Sequence, residues 1–337
     1  MVNDWYKFMN IAVCLGLSFD DRGAYKYQGK QYRQFCEAYL SLNAAVIGKT
    51  GNPLYFVRID DFREDGSFDK YYVLENKVAD SLRFEVVNER FMPDVVFNRL
   101  KDQLYEQPYF TKASWVVYND KAVAMLGNKA VSLQKFSHHM PSSIVVNSAA
   151  DVDKVNYMIN ERSGYAKWVV KPLRANGGRG ILLLDRSDVM GSVVADNLPL
   201  LLQEFCETRS VPELDVVGRH DVRVYVIDGE PLLLAVRQPK KGGFLANTAA
   251  GGSIRFLNIE RLPTEAMAMI NNIIDDINTI KKRYFISVDV FYTDSGWKLI
   301  EINDQPGLPA AYQTPHADAV IEKLVNSLRG AHNDRYI

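Results

Sequence analysis

Two apolar segments near the end of this 337-residue chain set the strictest limit on its architecture. The segments FISVDVFY (Phe285–Tyr292) and WKLIEI (Trp297–Ile302) are rich in β-branched and aromatic residues, which favour strands. The connection between them ends in Asp-Ser-Gly, which is typical of a short hairpin loop with glycine in the left-handed position. The chain therefore needs antiparallel sheet structure in its last third.

The register of this hairpin brings acidic side chains together. A three-residue loop pairs Thr293 with Trp297, and this register places Asp289 directly opposite Glu301. Asn303 shares their face because side chains two residues apart in a strand point the same way. Two carboxylates and an amide oxygen among apolar neighbours are the ligands that Mg²⁺ prefers. The sequence predicts a metal site here, and the alternative is a solvated acidic face.

A glycine-rich segment has the composition of an anion-binding loop. The strand KWVVK ends at Lys171, and three glycines, Gly177, Gly178 and Gly180, precede a second apolar strand. Such glycines allow the backbone to approach a ligand closely with its amides turned inward, and the lysine supplies a positive charge. Taken alone, the segment is better interpreted as an ordinary hairpin loop with a surface lysine.

The composition argues against several classes of protein. With 40 Lys+Arg against 41 Asp+Glu and a pI near 6.5, the chain has no basic field that would support binding to nucleic acid or to an anionic membrane. No apolar run approaches the ~20 residues of a membrane span. Cys14, Cys36 and Cys206 match neither a disulfide framework nor a zinc site. These features predict a cytoplasmic protein with reduced cysteines.

The order of the predicted elements indicates an α/β layer followed by α+β regions. Apolar runs and helical periodicity alternate in the first hundred residues, with strands at Ile11–Leu17, Leu54–Ile59 and Asp94–Phe97 and a helix at Tyr32–Ala45. The pattern loosens around Asn119–Lys129, where we place a boundary. From Lys167 onward the strands are short and separated by turns.

Other polar residues indicate little by themselves. Asp221 and Arg223 share one face of a strand, with Arg237 at the far end of the returning strand, and such a set is usually a surface ion pair. The segment Gln203–Cys206 is typical of the end of a core strand. The five histidines show no metal-ligand spacing and are interpreted as structural or surface residues: His138, His139, His220, His316 and His332.

The order of these pieces is more specific than any one of them, and it resembles the ATP-grasp superfamily. The chain is most similar to the branch that contains prokaryotic glutathione synthetase and the ribosomal-protein glutamate ligases, from about Lys129 to Leu308. The resemblance implies an ATP-grasp fold. An N-terminal α/β domain, residues 1–120, would precede two α+β subdomains, residues 121–202 and 203–337, that clasp ATP between them.

The resemblance also implies the residues that bind the nucleotide. The ATP phosphates would be held by Lys129 and Lys171. A flexible lid over them would contain Gly177, Gly178 and Gly180. The hinge that contacts adenine, partly through its backbone, would comprise Gln203, Glu204, Phe205 and Cys206. Asp221 corresponds to a ribose contact.

The remaining implied roles concern the reaction itself. Arg223 corresponds to the arginine beside the reacting phosphoryl group. Arg237 and Asn247 occupy positions that stabilise phosphate and metal-bound substrate. The magnesium ligands of the family match the set that the hairpin register brings together: Asp289, Glu301 and Asn303.

An ATP-dependent carboxylate–amine ligase is the activity that this resemblance implies. The carboxylate of a small acid or peptide would attack ATP to give an acyl phosphate, and an amine would then form an amide or peptide bond with release of ADP and phosphate. The implied cofactors are ATP and two Mg²⁺ ions, with Mn²⁺ as a substitute, and a homo-oligomer is compatible with the resemblance. The alternatives are a catalytically silent ATP-binding protein and a small-molecule kinase on the same fold.

Two features depart from the family pattern. Leu245 occupies a position where the family usually has an arginine, two residues before Asn247. The segment Thr208–His220 is an apparent extra piece between the hinge and Asp221. Glu207 and Glu213 therefore stay open as alternative ribose contacts.

Overall fold

The computed structural model describes residues 9–15, 30–78, 81–100, 114–161, 167–174, 177–189, 198–246, 251–309, 314 and 316–334. Within these residues the strands form three sheets of six, four and five strands. The first sheet belongs to the N-terminal third, and the other two follow it along the chain.

The first sheet mixes parallel and antiparallel pairing. Its strands are β1 (Ile11–Cys14), β2 (Tyr55–Val57), β3 (Tyr71–Val78), β4 (Ser81–Val87), β5 (Val95–Asn98) and β6 (Val116–Tyr118), in the spatial order β4-β3-β2-β1-β5-β6. β1 pairs in parallel with β2 and β5, and β5 with β6, whereas β3 pairs antiparallel with β2 and β4. Helix α1 (Lys30–Thr50) packs on it and is longer at both ends than the predicted helix. The predicted α/β layer is confirmed: β1 and β2 are shorter than the predicted strands, and β5 is shifted by one residue.

The second sheet is antiparallel and carries the glycine-rich loop. Its strands are β7 (Ser143–Val146), β8 (Lys167–Pro172), β9 (Leu182–Asp185) and β10 (Leu200–Glu204), in the order β7-β10-β8-β9. Two short helices, α2 (Lys121–Leu126) and α3 (Lys129–Phe136), precede it, and α4 (Val152–Glu161) packs on it through Val155 and Ile159. The glycine loop therefore connects two adjacent strands, β8 and β9.

The third sheet is antiparallel throughout. Its strands are β11 (Asp221–Ile227), β12 (Glu230–Gln238), β13 (Ser253–Asn258), β14 (Phe285–Thr293) and β15 (Gly296–Asn303), in the order β13-β12-β11-β14-β15. Asp228 and Gly229 link β11 to β12 with φ values of 52° and 82°, as a tight hairpin turn requires. Helix α5 (Thr264–Ile280) follows β13, and α6 (Ala317–Asn333) follows β15.

Alternation along these strands gives the third sheet two different faces. Val222, Val224 and Val288 point to one face and pack with Ile270 and Ile273 of α5. The intervening residues of β11, β14 and β15 point to the other face and include Asp221, Arg223, Asp289 and Glu301. The sheet therefore places its charged side chains on the face away from α5.

The hairpin register differs from the prediction at the turn. Only Asp294 and Ser295 lie between the strands, so Thr293 pairs with Gly296 rather than with Trp297. The turn tightens because the Thr293 hydroxyl accepts a hydrogen bond from the Ser295 amide at 3.2 Å and donates to the Gly296 carbonyl at 2.9 Å.

A bulge at Ile300 shifts this register by one residue between the pairs Val290–Leu299 and Asp289–Glu301. Asp289 therefore faces Glu301, as the sequence predicts, although the loop and the path along β15 differ from the prediction.

The last helix packs back toward the start of the chain. The buried stripe of α6, which includes Ile321, Leu324 and Leu328, joins one core with α1, the first sheet and Phe285 of β14. The proposed domain limits are sequence-based and stay a prediction. In the part of the chain described above, no helix is both long enough and apolar enough to cross a membrane.

Candidate active site

A buried carboxylate bound by two arginines forms the centre of the candidate site. Asp289 of β14 is fully buried, and Arg223 lies opposite it on β11. Arg223 donates to both carboxylate oxygens, at 2.8 Å from Nε to Oδ1 and 2.7 Å from Nη2 to Oδ2. Arg237 Nη2 donates to the same Oδ2 at 2.7 Å. Burial alone would raise the pKa of Asp289, but the charges of Arg223 and Arg237 lower it to about 2.

A second carboxylate extends this cluster. Asp221 lies directly opposite Arg237 in the β11–β12 pair, and its Oδ1 accepts from Arg237 Nε at 2.5 Å. Burial raises the pKa of Asp221, and Arg237 opposes that shift. The sequence interpretation of these residues as a surface ion pair is wrong, because the buried Arg237 lies between two carboxylates.

Two buried lysines lie near the acidic end of the hairpin. Lys129 is the first residue of α3, and its Nζ lies 3.4 Å from Glu301 Oε2. Lys171, near the end of β8, donates to Gln203 Oε1 at 2.6 Å, and Gln203 Nε2 donates to Ser143 Oγ at 2.8 Å. Burial lowers the pKa of Lys171 to about 8, with Glu301 opposing this shift and Lys129 adding to it. The site therefore contains a lysine that loses its charge easily.

The glycine loop has the backbone that the sequence predicts. Gly177, Gly178 and Gly180 have φ values of 66°, 74° and 70°, which residues other than glycine rarely adopt. A Cβ atom on Gly180 would lie 2.8 Å from Cγ of Pro172, so the loop also packs too closely there for any side chain. The interpretation of Lys171 as a surface lysine is wrong, because the residue is buried.

A cavity of about 140 Å³ lies beside the four hinge residues Gln203, Glu204, Phe205 and Cys206. Its other walls include Lys171, Asp221 and a set of apolar residues: Val169, Ile181, Phe244, Phe291 and Ile300. A polar strand end beside apolar walls is suited to a flat heterocycle with polar edges.

One carboxylate oxygen in this cavity wall has no partner among the described residues. Glu204 Oε1 lies 3.6 Å from the Cys206 thiol, whereas Glu204 Oε2 is buried without a hydrogen bond. Burial, with the adjacent Glu204 charge, raises the pKa of the Cys206 thiol to about 12. The thiol therefore stays protonated and acts as a donor toward Glu204.

The predicted metal ligands lie on one hairpin but are not equally available. Asp289 faces Glu301, and Asn303 lies two residues further along β15, opposite Ser287. Asn303 Oδ1 accepts from the Gln305 amide at 3.0 Å. The described residues contain no group of three or more His, Cys, Asp or Glu side chains that could hold a metal ion. Mg²⁺ commonly takes one or two carboxylates plus substrate phosphates, so these oxygen donors fit it when a nucleotide supplies the rest.

Several sequence-based expectations concern the loops around the cavity. Asn247 lies outside the described residues, while Leu245, at the position of the missing arginine, lines the cavity. Glu207 pairs with Arg219 at 2.7 Å, and neither Glu207 nor Glu213 lines the cavity. Of Asp221, Glu207 and Glu213, the three proposed ribose contacts, Asp221 is the one that lines the cavity.

The sequence analysis assigns no role to two residues that the structure places at the site. Ser143 orients Gln203 from a strand 60 residues earlier, and only the β7–β10 register brings the two together. His220, which the sequence assigned to no site, is buried in the cavity wall. Its position next to Asp221 was the available hint, because adjacent residues can both reach a pocket at the start of a strand.

Comparisons with known proteins show which family the chain is related to. The family model described as prokaryotic glutathione synthetase, ATP-grasp domain, matches residues 128–306, just over half of the chain. A glutathione synthetase of Prochlorococcus marinus subsp. pastoris is 26% identical over 218 residues, 62% of this chain and 64% of the relative. A probable alpha-L-glutamate ligase of Shewanella pealeana is 28% identical over 203 residues, 58% of this chain and 40% of the relative. The match thus spans less than two thirds of either relative.

Solved structures show the same fold over nearly the whole chain. D-alanyl-alanine synthetase A from Vibrio cholerae superposes with a TM-score of 0.61 at 14% identity, covering 96% of this chain and 99% of that protein. At this identity the likeness concerns the fold alone. The family match and the three-sheet architecture agree with the fold predicted from the sequence: the chain belongs to the prokaryotic glutathione synthetase ATP-grasp family.

Proposed function

We propose that the chain is an ATP-dependent carboxylate–amine ligase that forms an amide or peptide bond. The observation that carries this proposal is the concentration of four cationic side chains around the buried acidic hairpin: Lys129, Lys171, Arg223 and Arg237. Buried charges are costly to desolvate and need strong partners. A triphosphate beside the hinge cavity gives these cations such partners, and the family relationship supports ATP as that ligand.

The reaction follows from where the charges lie. A carboxylate oxygen of the acid substrate attacks the γ-phosphorus of ATP, the bond from that phosphorus to the β,γ-bridging oxygen breaks, and ADP leaves. An amine then attacks the acyl carbon of the acyl phosphate, phosphate leaves with the C–O bond electrons, and the proton that the amine nitrogen loses is taken up by the released phosphate. Phosphoryl transfer depends on alignment and charge neutralisation, which Arg223 and the two lysines would supply.

The other candidate residues would bind and shield the nucleotide. The segment Gln203–Cys206 would hold adenine, Asp221 the ribose, and Gly177, Gly178 and Gly180 would form the closing loop that keeps water from the acyl phosphate. Asn247 and Arg237 would contact the transferring phosphate.

Magnesium would be held by Asp289, Glu301 and Asn303 and would neutralise charge on the triphosphate. We propose two ions, with Mn²⁺ as a substitute.

The wider setting is part of the same proposal. The substrates would be a small acid or peptide and an amine, bound between the N-terminal domain and the two proposed subdomains. No disulfide joins Cys14, Cys36 or Cys206 in the described part of the chain, which supports a reducing, cytoplasmic compartment. A homo-oligomer is compatible with this arrangement.

Hydroxylamine trapping tests the ligase proposal. The protein is incubated with ATP, Mg²⁺, hydroxylamine and pooled carboxylic acids, and hydroxamates are identified by mass spectrometry. A ligase gives a hydroxamate with stoichiometric ADP, and Lys171→Met abolishes both. Lys49→Met is the matched control, because this exposed lysine pairs with Glu322 on the surface at 2.7 Å. ADP with a stable phosphate ester identifies a kinase, and ATP binding without ADP release identifies a silent ATP-binding protein.

A further inference from the structure

The segment Thr208–His220 is a folded loop that is fixed at several points. Val211 and Val216 form an isolated antiparallel bridge, with the Val211 amide 3.0 Å from the Val216 carbonyl oxygen. Arg209 pairs with Asp294 in the hairpin turn between β14 and β15. Thr208 Oγ1 donates to the Gly218 carbonyl at 3.1 Å, which closes the loop on itself.

Contacts from outside the loop fix its centre. Arg255 Nη2 donates to the carbonyl oxygen of Leu214, and Arg261 Nη2 donates to the carboxylate of Asp215 at 2.9 Å. These contacts attach the loop to β13 and to the turn that precedes α5. The loop therefore has a defined conformation up to its last residue, His220.

His220 carries a buried hydrogen-bond acceptor. Its side chain is about 4% exposed, and its Nδ1 lies 2.9 Å from the Gly218 carbonyl oxygen. Because a carbonyl oxygen only accepts, Nδ1 carries the proton, and in the neutral ring Nε2 holds a lone pair. Burial lowers the pKa of His220, which keeps the ring neutral near pH 7. Nε2 is buried without a hydrogen-bond partner in the part of the chain that the structure describes.

The position of His220 in the cavity wall indicates which hydrogen-bond donor could bind to Nε2. It lines the hinge cavity together with the hinge residues Phe205 and Cys206 and with its chain neighbour Asp221. If adenine lies at the hinge and the phosphates lie at Lys171 and Arg223, the sugar passes this part of the wall. Triphosphate oxygens only accept hydrogen bonds, so the ribose hydroxyls are the donors that a nucleotide offers here.

We propose that His220 is a nucleotide-specificity residue whose Nε2 accepts a hydrogen bond from a ribose hydroxyl, and that the Thr208–His220 loop positions it. The inference rests on the proposed ATP site. Asp221 Oδ1 accepts from Arg237, and Glu207 is paired with Arg219, so these carboxylates already have cationic partners. A buried acceptor left unsatisfied is unfavourable, so a nucleotide that lacks the matching hydroxyl should bind less tightly.

Nucleotide binding by calorimetry tests this role. The full chain is titrated with ATP, 2′-deoxy-ATP and 3′-deoxy-ATP in the presence of Mg²⁺. We expect one of the two analogues to bind about 3–10-fold more weakly than ATP, the range expected for one neutral hydrogen bond. His220→Phe should weaken ATP binding by a similar factor and remove the difference between ATP and that analogue. His220→Gln, which can place an acceptor near the position of Nε2, should keep part of the difference.

Matched controls separate this role from a structural one. His138→Phe alters an exposed histidine outside the cavity and should bind all three nucleotides as the native chain does.

Should His220→Phe fail to fold, ¹⁵N spectra of histidine-labelled native protein decide, because the resonance of the unprotonated His220 nitrogen should shift with ATP and shift less with the weaker-binding analogue. Equal binding of the three nucleotides by the native chain overturns the His220 inference alone, as does discrimination against the weaker-binding analogue that survives unchanged in His220→Phe. Absence of ATP binding overturns the proposed function with it.

Discussion

Arg223 and Asp289 form a two-pronged ion pair across the adjacent strands β11 and β14, with both nitrogen–oxygen distances below 3 Å. Two nitrogens of the Arg223 guanidinium are held by Asp289, so the orientation of the whole group is fixed. The guanidinium therefore does not have to move when negative charge develops next to it. The pair therefore links the stability of the third sheet to the proposed chemistry, and the two effects can be measured separately.

Replacing Arg223 by alanine should reduce turnover more than ATP affinity. If Arg223 stabilises charge on the transferring phosphoryl group, kcat should fall about 10²–10³-fold, as it does when a donor of this kind is removed. Binding of ATP should change much less, because both lysines are still present. Steady-state ADP release and calorimetric titration with ATP measure the two quantities.

Stability must be followed in the same variant. Removing one partner of a buried ion pair typically costs about 3–5 kcal/mol, and Asp289 would keep Arg237 and the Ser287 hydroxyl, at 3.5 Å, as partners. Urea unfolding of Arg223→Ala and Arg223→Lys separates this cost from catalysis, since lysine keeps a charge but not the two-pronged geometry. Unchanged kcat in a folded Arg223→Ala variant would remove Arg223 from the proposed reaction.

Magnesium should bind only together with nucleotide. Both oxygens of Asp289 accept from arginines, and Glu301 has Lys129 at 3.4 Å, so a free divalent cation meets positive charge at each carboxylate. A triphosphate would draw these cations toward its own oxygens and supply further metal ligands. We expect no measurable heat on titrating Mg²⁺ into the protein alone.

Titration in the presence of a non-hydrolysable ATP analogue completes this test. We expect saturable Mg²⁺ binding there, and Asp289→Asn should weaken it. Glu265→Gln, which alters an exposed acid on α5, on the other side of the third sheet, should not. Saturable binding of Mg²⁺ to the native chain without nucleotide would show that the carboxylates are already available.

The hairpin shows how far the sequence could predict the site and where it could not. Alternation along β14 and β15 was enough to predict that Asp289, Glu301 and Asn303 belong to one polar face. The turn and the bulge at Ile300 were not predictable, because a bulge reflects how a strand packs against its surroundings and has no residue signature. The turn is one residue shorter than predicted and the bulge adds one residue to β15, so the two differences cancel at the pair Asp289–Glu301.

Long-range partners explain most of what the sequence could not predict. Arg237 and Asp221 were correctly placed on adjacent strands, but their burial depends on what covers the sheet. Likewise, the contact between Lys129 and Glu301 joins residues from α3 and β15 that only the tertiary fold brings together. Local pattern predicts which side chains share a face, and packing decides which of them are removed from water.

Raising the pH should weaken ATP binding through Lys171. The pKa of this lysine in the folded chain is about 8, against 10.5 for an unperturbed lysine. Below pH 8 the ammonium group is already charged. Above pH 8 binding must first restore the proton, so ATP affinity should fall by up to tenfold per pH unit, with measurable proton uptake on binding.

Calorimetry between pH 7 and about 9.5 in two buffers of different ionisation enthalpy checks this dependence. Lys171→Arg keeps its charge throughout and should show a flat profile. The same shift affects folding in the opposite sense: the unfolded chain holds the proton up to its higher pKa, so the contribution of Lys171 to stability should rise between pH 8 and 10.5. An identical pH profile in Lys171→Arg would assign the effect to another group.

A methyl group on Gly180 should hinder the loop that is proposed to close over the nucleotide. Gly180 has a φ of 70°, which would cost an alanine at this position about 1–2 kcal/mol. The added Cβ would also lie only 2.8 Å from Cγ of Pro172. If the free loop of Gly180→Ala relaxes away from this backbone and the bound state needs it, the variant should bind ATP about 5–30-fold more weakly. Gly48→Ala is the matched control, because this helical glycine has no atom within 4 Å of the added Cβ and should gain about 1 kcal/mol of stability instead. Equal ATP affinity in the two variants, measured by calorimetry, would mean that the loop binds nucleotide without the conformation seen at Gly180.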